Sequence, residues 1–174
     1  MDKKPIRKPN RLPLFDYGQN GTYFITICTH KKQNLFWESC RDNPCGCPSD
    51  PPIVEYTLLG QIAIANIKAL EERFPIKIEN FVVMPNHIHL LIYLDGYCNR
   101  TAARAVPTIP QIVGAYKSIV STQYLSHCKS NKTAMGNLWQ RSYYDHIVRN
   151  EKDFIIKWNY IEGNIAEWTK DQYY

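Results

Sequence analysis

Hydrophobic and polar positions along the chain switch between a period of about two residues, which marks strands, and one of about 3.6, which marks helices. TYFITICT (22–29) follows a glycine turn, is β-branched and aromatic, and predicts a strand. IVEY (53–56) predicts a short one. LLGQIAIANIKALEERF (58–74) has apolar residues at Leu59, Ile62, Ile64, Ile67 and Leu70, close to helical spacing, with Pro75 to stop it. IKIENFVVM (76–84) and HIHLLIYL (87–94) predict two strands around a tight Met-Pro-Asn turn. IPQIVGAYKSIVSTQYLSH (109–127) predicts a second amphipathic helix, WQRSYYDHIVRN (139–150) a strand, and EKDFIIKWNYIEGN (151–164) a last helix with acid in its first turn, as the helix dipole favours. Strand, helix, two strands, helix, strand, helix is the order of a split βαβ sheet. The expected class is α+β and ferredoxin-like: an antiparallel sheet with helices on one face, plus a C-terminal helix. Two loops interrupt it, a Cys/Pro-rich insertion at 39–52 and a stretch at 95–107.

Length and composition agree with this order. With 174 residues, 44% hydrophobic and 21% charged, the chain suits a single globular domain over 1–174. No apolar run approaches the ~20 residues that cross a bilayer, so no membrane partner is expected. The start, MDKKPIRKPNR, has no apolar segment behind its charges, which points to a cytoplasmic protein. In that compartment Cys28, Cys40, Cys45, Cys47, Cys98 and Cys128 are expected as thiols. Cys40, Cys45 and Cys47 lack a C-x-x-C pair and a fourth ligand, and read as a surface insertion rather than a zinc site.

The net charge of +5 is modest, but Lys3, Lys4, Arg7, Lys8 and Arg11 gather it into a basic arm over residues 1–12. Such an arm suits a polyanion, and serves equally as a solvated terminus.

The sharpest chemical feature is Pro85-Asn86-His87-Ile88-His89. Side chains alternate along a strand, so His87 and His89 share a face while Ile88 and Leu90 take the other. Two adjacent imidazoles on one strand are half of a metal site. An H-x-H pair arises by chance in roughly one sequence in ten with this many histidines, so its weight rests on its company. Tyr160 and Asn164, at i and i+4 of the last helix, supply a phenol and a neutral oxygen ligand on one face. Tyrosine at helical spacing is commoner as core than as nucleophile.

IRKPNRLPLFDY with GTYFITICT, then VVMPNHIHLLI, IVGAYKSIV, LWQRSYYDHIVRNEKDF and a YI-x-x-N helix together resemble the single-tyrosine HUH transposases, and among them the REP-associated branch. The likeness runs in order from about Arg7 to Trp168. It implies a ferredoxin-like HUH domain in which His87, His89 and Asn164 hold Mg²⁺ or Mn²⁺ and Tyr160 is the nucleophile. It further implies single-stranded or REP-type hairpin DNA as substrate, a 5′-phosphotyrosine intermediate, work at the nucleoid, and a monomer rather than a homodimer. Imidazole ligands by themselves would favour zinc-like ions. Asn164 is followed by Ile165 where such proteins usually have proline, and the Cys-rich loop has no counterpart. Arg7, Arg11, Lys117, Arg141 and Arg149 are candidate phosphate contacts, and His146 and Asp145 candidate bases for the phenol. Two further readings share the motifs: a metal hydrolase that uses water, and a DNA-binding regulator without turnover. A covalent protein–DNA adduct separates them from the transferase.

Overall fold

The structure, a computed structural model, describes residues 16–41, 52–95 and 107–168. The basic arm with Arg7 and Arg11, most of the Cys-rich insertion with Cys45 and Cys47, and Cys98 lie outside the described residues.

Strand β1 (Gly21–Cys28) is central because both its faces are apolar enough to be covered. It pairs antiparallel with β5 (His87–Leu94) on one side and with β6 (Tyr144–Val148) on the other. Strand β4 (Ile76–Val83) completes the sheet by pairing antiparallel with β5, giving the order β4-β5-β1-β6. A crossover through helix α1 (Leu58–Lys68) joins β1 to β4, and helix α3 (Ile109–Ser130) joins β5 to β6. This is the split βαβ arrangement read from the sequence.

Each strand feeds two layers by simple alternation. Tyr23, Ile25 and Ile27 of β1 and Ile88, Leu90, Ile92 and Leu94 of β5 meet α1 and α3 in the larger core. Tyr116 of α3, fully buried, donates its hydroxyl to the Ala63 carbonyl of α1 at 3.1 Å, and Asn66 donates to Gln123 at 2.7 Å. The opposite face carries a smaller cluster of Phe24, Val82, Met84 and Leu91, covered by Ile161 of helix α4 (Glu151–Gly163). Among the described residues the terminal helix is thus the one helix on the second face.

Four boundaries differ from the sequence expectation. The helix expected over 58–74 breaks at Ala69 into α1 and a single turn, α2 (Leu70–Arg73), which seats Leu70 in the core. The insertion expected from residue 39 begins later, because Trp37–Arg41 forms β2 and pairs with β3 (Ile53–Tyr56) in a separate two-stranded ribbon. The strand expected over 139–150 shrinks to β6. Lys117 takes the carbonyls of Gln140 and Ser142 at 2.8 and 3.0 Å, while Trp139 forms an isolated bridge with Thr29. Finally, α3 runs on to Ser130.

Thr57 caps α1, its hydroxyl accepting from the Gly60 N–H at 3.0 Å, while its own N–H donates to the Phe36 carbonyl at 2.9 Å. A Cβ on Gly60 would run into that Phe36 carbonyl oxygen. Alanine gains ~1 kcal/mol of helix propensity, whereas displacing backbone in a packed site costs about 1–3 kcal/mol. Gly60→Ala should therefore destabilise the protein on balance in urea unfolding. A raised midpoint would show that the β2–β3 ribbon gives way instead.

Candidate active site

The Met84-Pro85-Asn86 turn delivers β5 to the sheet with its first histidine already oriented. Met84 N–H donates to the His87 carbonyl at 2.8 Å, and the Pro85 carbonyl accepts from Leu35 and Phe36 at 2.8 and 3.0 Å. Asn86 turns its amide nitrogen to the Lys32 carbonyl at 3.4 Å, so its Oδ1 faces His87 Nδ1 at 2.8 Å. The carboxamide oxygen thereby accepts from the Nδ1–H, which in the neutral ring leaves the lone pair on His87 Nε2.

His87 and His89 both point to the α4 face and are fully buried. Their Nε2 atoms are 2.9 Å apart. Thr26, the cross-strand neighbour of His89 on β1, holds His89 Nδ1 at 2.9 Å through its hydroxyl. A hydroxyl both donates and accepts, so it supports either tautomer. When Thr26 donates, His89 Nε2–H donates to His87. When Thr26 accepts, both Nε2 lone pairs converge on one point, which is stable only around a cation. Burial, then His87, then Lys157 keep the His89 pKa well below the ordinary imidazole value, so it is neutral and able to ligate.

Helix α4 brings the second half of the site. Asn150 caps it by accepting from the Asp153 N–H at 2.9 Å, and Glu151 and Asp153 sit in its first turn. Phe154, Trp158 and Ile161 form its packed stripe, which Ile165 continues just beyond the helix. Tyr160 stands at the edge of that stripe, 37% exposed, with its ring edge-on to His89 at 5.1 Å and to Phe24 at 5.9 Å. Trp168, beyond the helix, lies 5.9 Å from the His87 ring. Asn164, the helix cap between these two aromatics in sequence, is buried, with its Oδ1 out of solvent. No proline follows it, and the coil continues through Glu167 N–H to the Gly163 carbonyl while Ile165 packs into the small core.

The remaining candidates are scattered. His146 shares the histidine face, opposite Phe24, and its Nε2 is 2.8 Å from Asp153 Oδ2. Burial raises the Asp153 pKa, but hydrogen bonds from His146 and the Arg149 N–H, with the charges of His146 and Lys157, outweigh it and hold the carboxyl below its ordinary value. Asp145 pairs opposite Ile25 and so faces the other core, away from Tyr160, which removes it as the base. Tyr143 packs against the larger core, whereas Tyr144 opens to solvent on the histidine face. Lys117 is committed to two backbone carbonyls, and burial lowers its pKa to about 8. Arg141 and Arg149 are exposed. Among the described residues no three His, Cys, Asp or Glu side chains cluster.

Sequence reasoning missed Thr26, Asn86, Lys157 and Trp168. Asn86 was legible as the polar residue between a proline and the first histidine. Thr26 became visible only through strand register.

A family model described as "Transposase IS200 like" matches residues 54–164, from the ribbon through Asn164. This chain belongs to the IS200-like transposase family. A Haemophilus influenzae relative described as "Uncharacterized protein" is 31% identical, over 97% of this chain and 93% of its own. A second protein from that organism, named "Putative REP-associated tyrosine transposase", is 26% identical, over 86% of this chain and 72% of its own. A solved structure of a REP-associated tyrosine transposase bound to a REP hairpin shares the fold. Its TM-score is 0.52 at 18% identity, with 95% of this chain and 74% of that chain covered. The matched stretch of the IS200-like transposase model contains His87, His89, Tyr160 and Asn164 together.

The paired nitrogens fit a divalent ion: two buried imidazoles place their Nε2 atoms 2.9 Å apart, each ring fixed from behind by a hydrogen bond at Nδ1. Thr26→Val keeps the shape but removes the hydroxyl that orients His89. Second-layer changes of this kind typically weaken metal binding by about 10- to 100-fold. Calorimetric titration with Mn²⁺ should show such a loss with the melting temperature little changed. An unaltered Kd would mean that packing alone orients the ring.

Proposed function

We propose that this protein is a divalent-metal-dependent single-strand DNA endonuclease and strand transferase that works through Tyr160. The observation carrying this reading is the juxtaposition of the Tyr160 ring, 5.1 Å from His89, with a histidine pair whose Nε2 atoms are 2.9 Å apart. His87 and His89 would hold the ion through Nε2, with Asn164 Oδ1 as the neutral third ligand. Bound there, Mg²⁺ or Mn²⁺ would polarise the target phosphate and stabilise the departing oxygen.

Tyr160 Oη attacks phosphorus, a Tyr–O–P bond forms and the P–O3′ bond breaks. The phenolic proton passes to a base, and the departing 3′ oxygen takes up a proton, from that base or from water, to become a free hydroxyl. One phosphodiester replaces another, so a later 3′-OH reverses the step and joins strands without a nucleotide cofactor. The partly exposed position of Tyr160 suits a nucleophile that must meet a polymer. His146 is the base candidate left on the correct face, held by Asp153.

The REP hairpin bound in the structurally similar transposase supports hairpin DNA as the substrate class, and we propose that its flanks are single-stranded. Exposed Arg141 and Arg149, with Arg7 and Arg11 of the arm, are proposed phosphate contacts, and Lys117 a weaker one because two carbonyls hold it. No helix among the described residues is long and apolar enough to cross a membrane. We place the protein at the nucleoid, acting as a monomer.

The test is incubation with labelled hairpin DNA and Mn²⁺, followed by a denaturing gel and peptide mapping. The wild type should give a covalent adduct at Tyr160. Tyr160→Phe should lose the adduct and keep DNA binding, while Tyr143→Phe and Tyr144→Phe retain it. His87→Ala, His89→Ala or EDTA should lower cleavage by about 10²-fold or more, the scale of losing an electrostatic stabiliser of the transition state. Cleavage without an adduct would favour a water-using hydrolase, and binding without cleavage a regulator.

A further inference from the structure

The side by which α4 packs on the sheet carries three polar residues, Asp153, Lys157 and Asn164, and Asp153 is held by His146. Phe154, Trp158, Ile161 and Ile165 cover the small core, and Lys157 and Asn164 interrupt them at helical spacing. Asn164 already has a role in the proposed site. Lys157 has none, and a lysine on a packed stripe ordinarily reaches for a carboxylate or for water.

Lys157 does neither in full. It is half-buried, and its Nζ sits over the Phe24 ring, 5.1 Å from the centroid. Phe24 in turn stacks on His89 at 5.1 Å and meets Tyr160 edge-on at 5.9 Å. One aromatic ring is thus a common floor for the ammonium, the histidine and the phenol. Among the described residues Lys157 forms no ion pair. Asp153, one turn back, binds His146, and Glu162, one turn on, accepts from Asn80 at 2.7 Å.

The balance of charge at this spot is informative. His87, His89, Asn164 and Tyr160 bring no carboxylate, and Asp153, the acid one turn back that feels the charge of Lys157, is hydrogen-bonded to His146. A divalent ion there would raise the positive field further. Such a site is complementary to a phosphodiester, whose non-bridging oxygens carry the negative charge.

We propose that Lys157 is a substrate-binding residue of this site, its ammonium holding a non-bridging oxygen of the phosphate that Tyr160 attacks. The proposal rests on the reading of Tyr160 as nucleophile. Cation–π contact with Phe24 parks the side chain one helical turn from Tyr160 until DNA arrives. The competing role is packing alone, with the stem of Lys157 filling space above Phe24.

The experiment uses the full chain in a Tyr160→Phe background, which holds DNA without reacting. The probe is a fluorescein-labelled hairpin DNA with single-stranded flanks, titrated by anisotropy in EDTA over a range of salt. Lys157→Met keeps an apolar stem over Phe24 and removes the charge. It should weaken binding several-fold and shrink the log–log salt slope by ~0.7, the value of one single-strand phosphate contact. Lys157→Arg should restore both. In the Tyr160-containing protein with Mn²⁺, Lys157→Met should slow adduct formation by ~10-fold or more with an unchanged melting temperature. A Lys157→Met slope equal to that of the parent, or Met and Arg variants that behave alike, overturns the proposal. A wild type that forms no adduct overturns the nucleophile reading, while the salt slope still decides whether Lys157 touches phosphate.

Discussion

The approach of two imidazole nitrogens to 2.9 Å inside a dry layer is the constraint around which the rest of the molecule is arranged. Two lone pairs do not sit that close without a proton or a cation between them, and buried polar atoms without partners are costly. The protein therefore fixes each ring from behind, Asn86 on His87 and Thr26 on His89. Those fixings require a tight turn before β5 and a paired strand beside it. The turn is held by the Pro85 carbonyl's two donors and the register by the full antiparallel ladder of β1 with β5.

Strand β5 can supply that pair because its other face carries the main core. Ile88, Leu90, Ile92 and Leu94 are buried against α1 and α3, so the strand's position does not depend on the site face. A one-residue slip would put both histidines into the aliphatic core and is opposed by every one of those side chains. Rigidity comes from one face of the sheet and chemistry from the other.

The site face is closed by α4, whose seat is smaller and more polar. Its fully buried apolar residue is Ile161, helped by partly buried Phe154, Trp158, Ile165 and Trp168. Hydrogen bonds from Asn80 to Glu162 and from His146 to Asp153 tie it to β4 and β6, the two edges of the sheet. Helix α4 thus bridges the sheet across its width, with Tyr160 above the central strands. This explains how an exposed phenol is held beside buried imidazoles.

Much of this was legible in the sequence, for physical reasons that are local. Period-two alternation set the shared face of His87 and His89, 3.6-residue periodicity set that of Tyr160 and Asn164, and the order of elements gave the split βαβ class. The family resemblance rested on the same local motifs. Other features depended on pairing between distant segments, which local pattern does not encode. Residues 139–143 have strand-like composition, yet Lys117, more than twenty residues earlier, takes their carbonyls and leaves only Tyr144–Val148 in the ladder. Trp37–Arg41 became a strand only because β3 returned beside it. Asp145 and His146 differed only in which face the register gave them. Thr26 and Lys157, silent as letters, acquired their places because β1 pairs with β5 and α4 crosses both, which puts Thr26 on His89 and Lys157 over the Phe24 ring that stacks on it. The sequence by itself determined which residues share a face. Only the tertiary structure decided which faces meet, because that depends on burial and pairing summed over the whole chain.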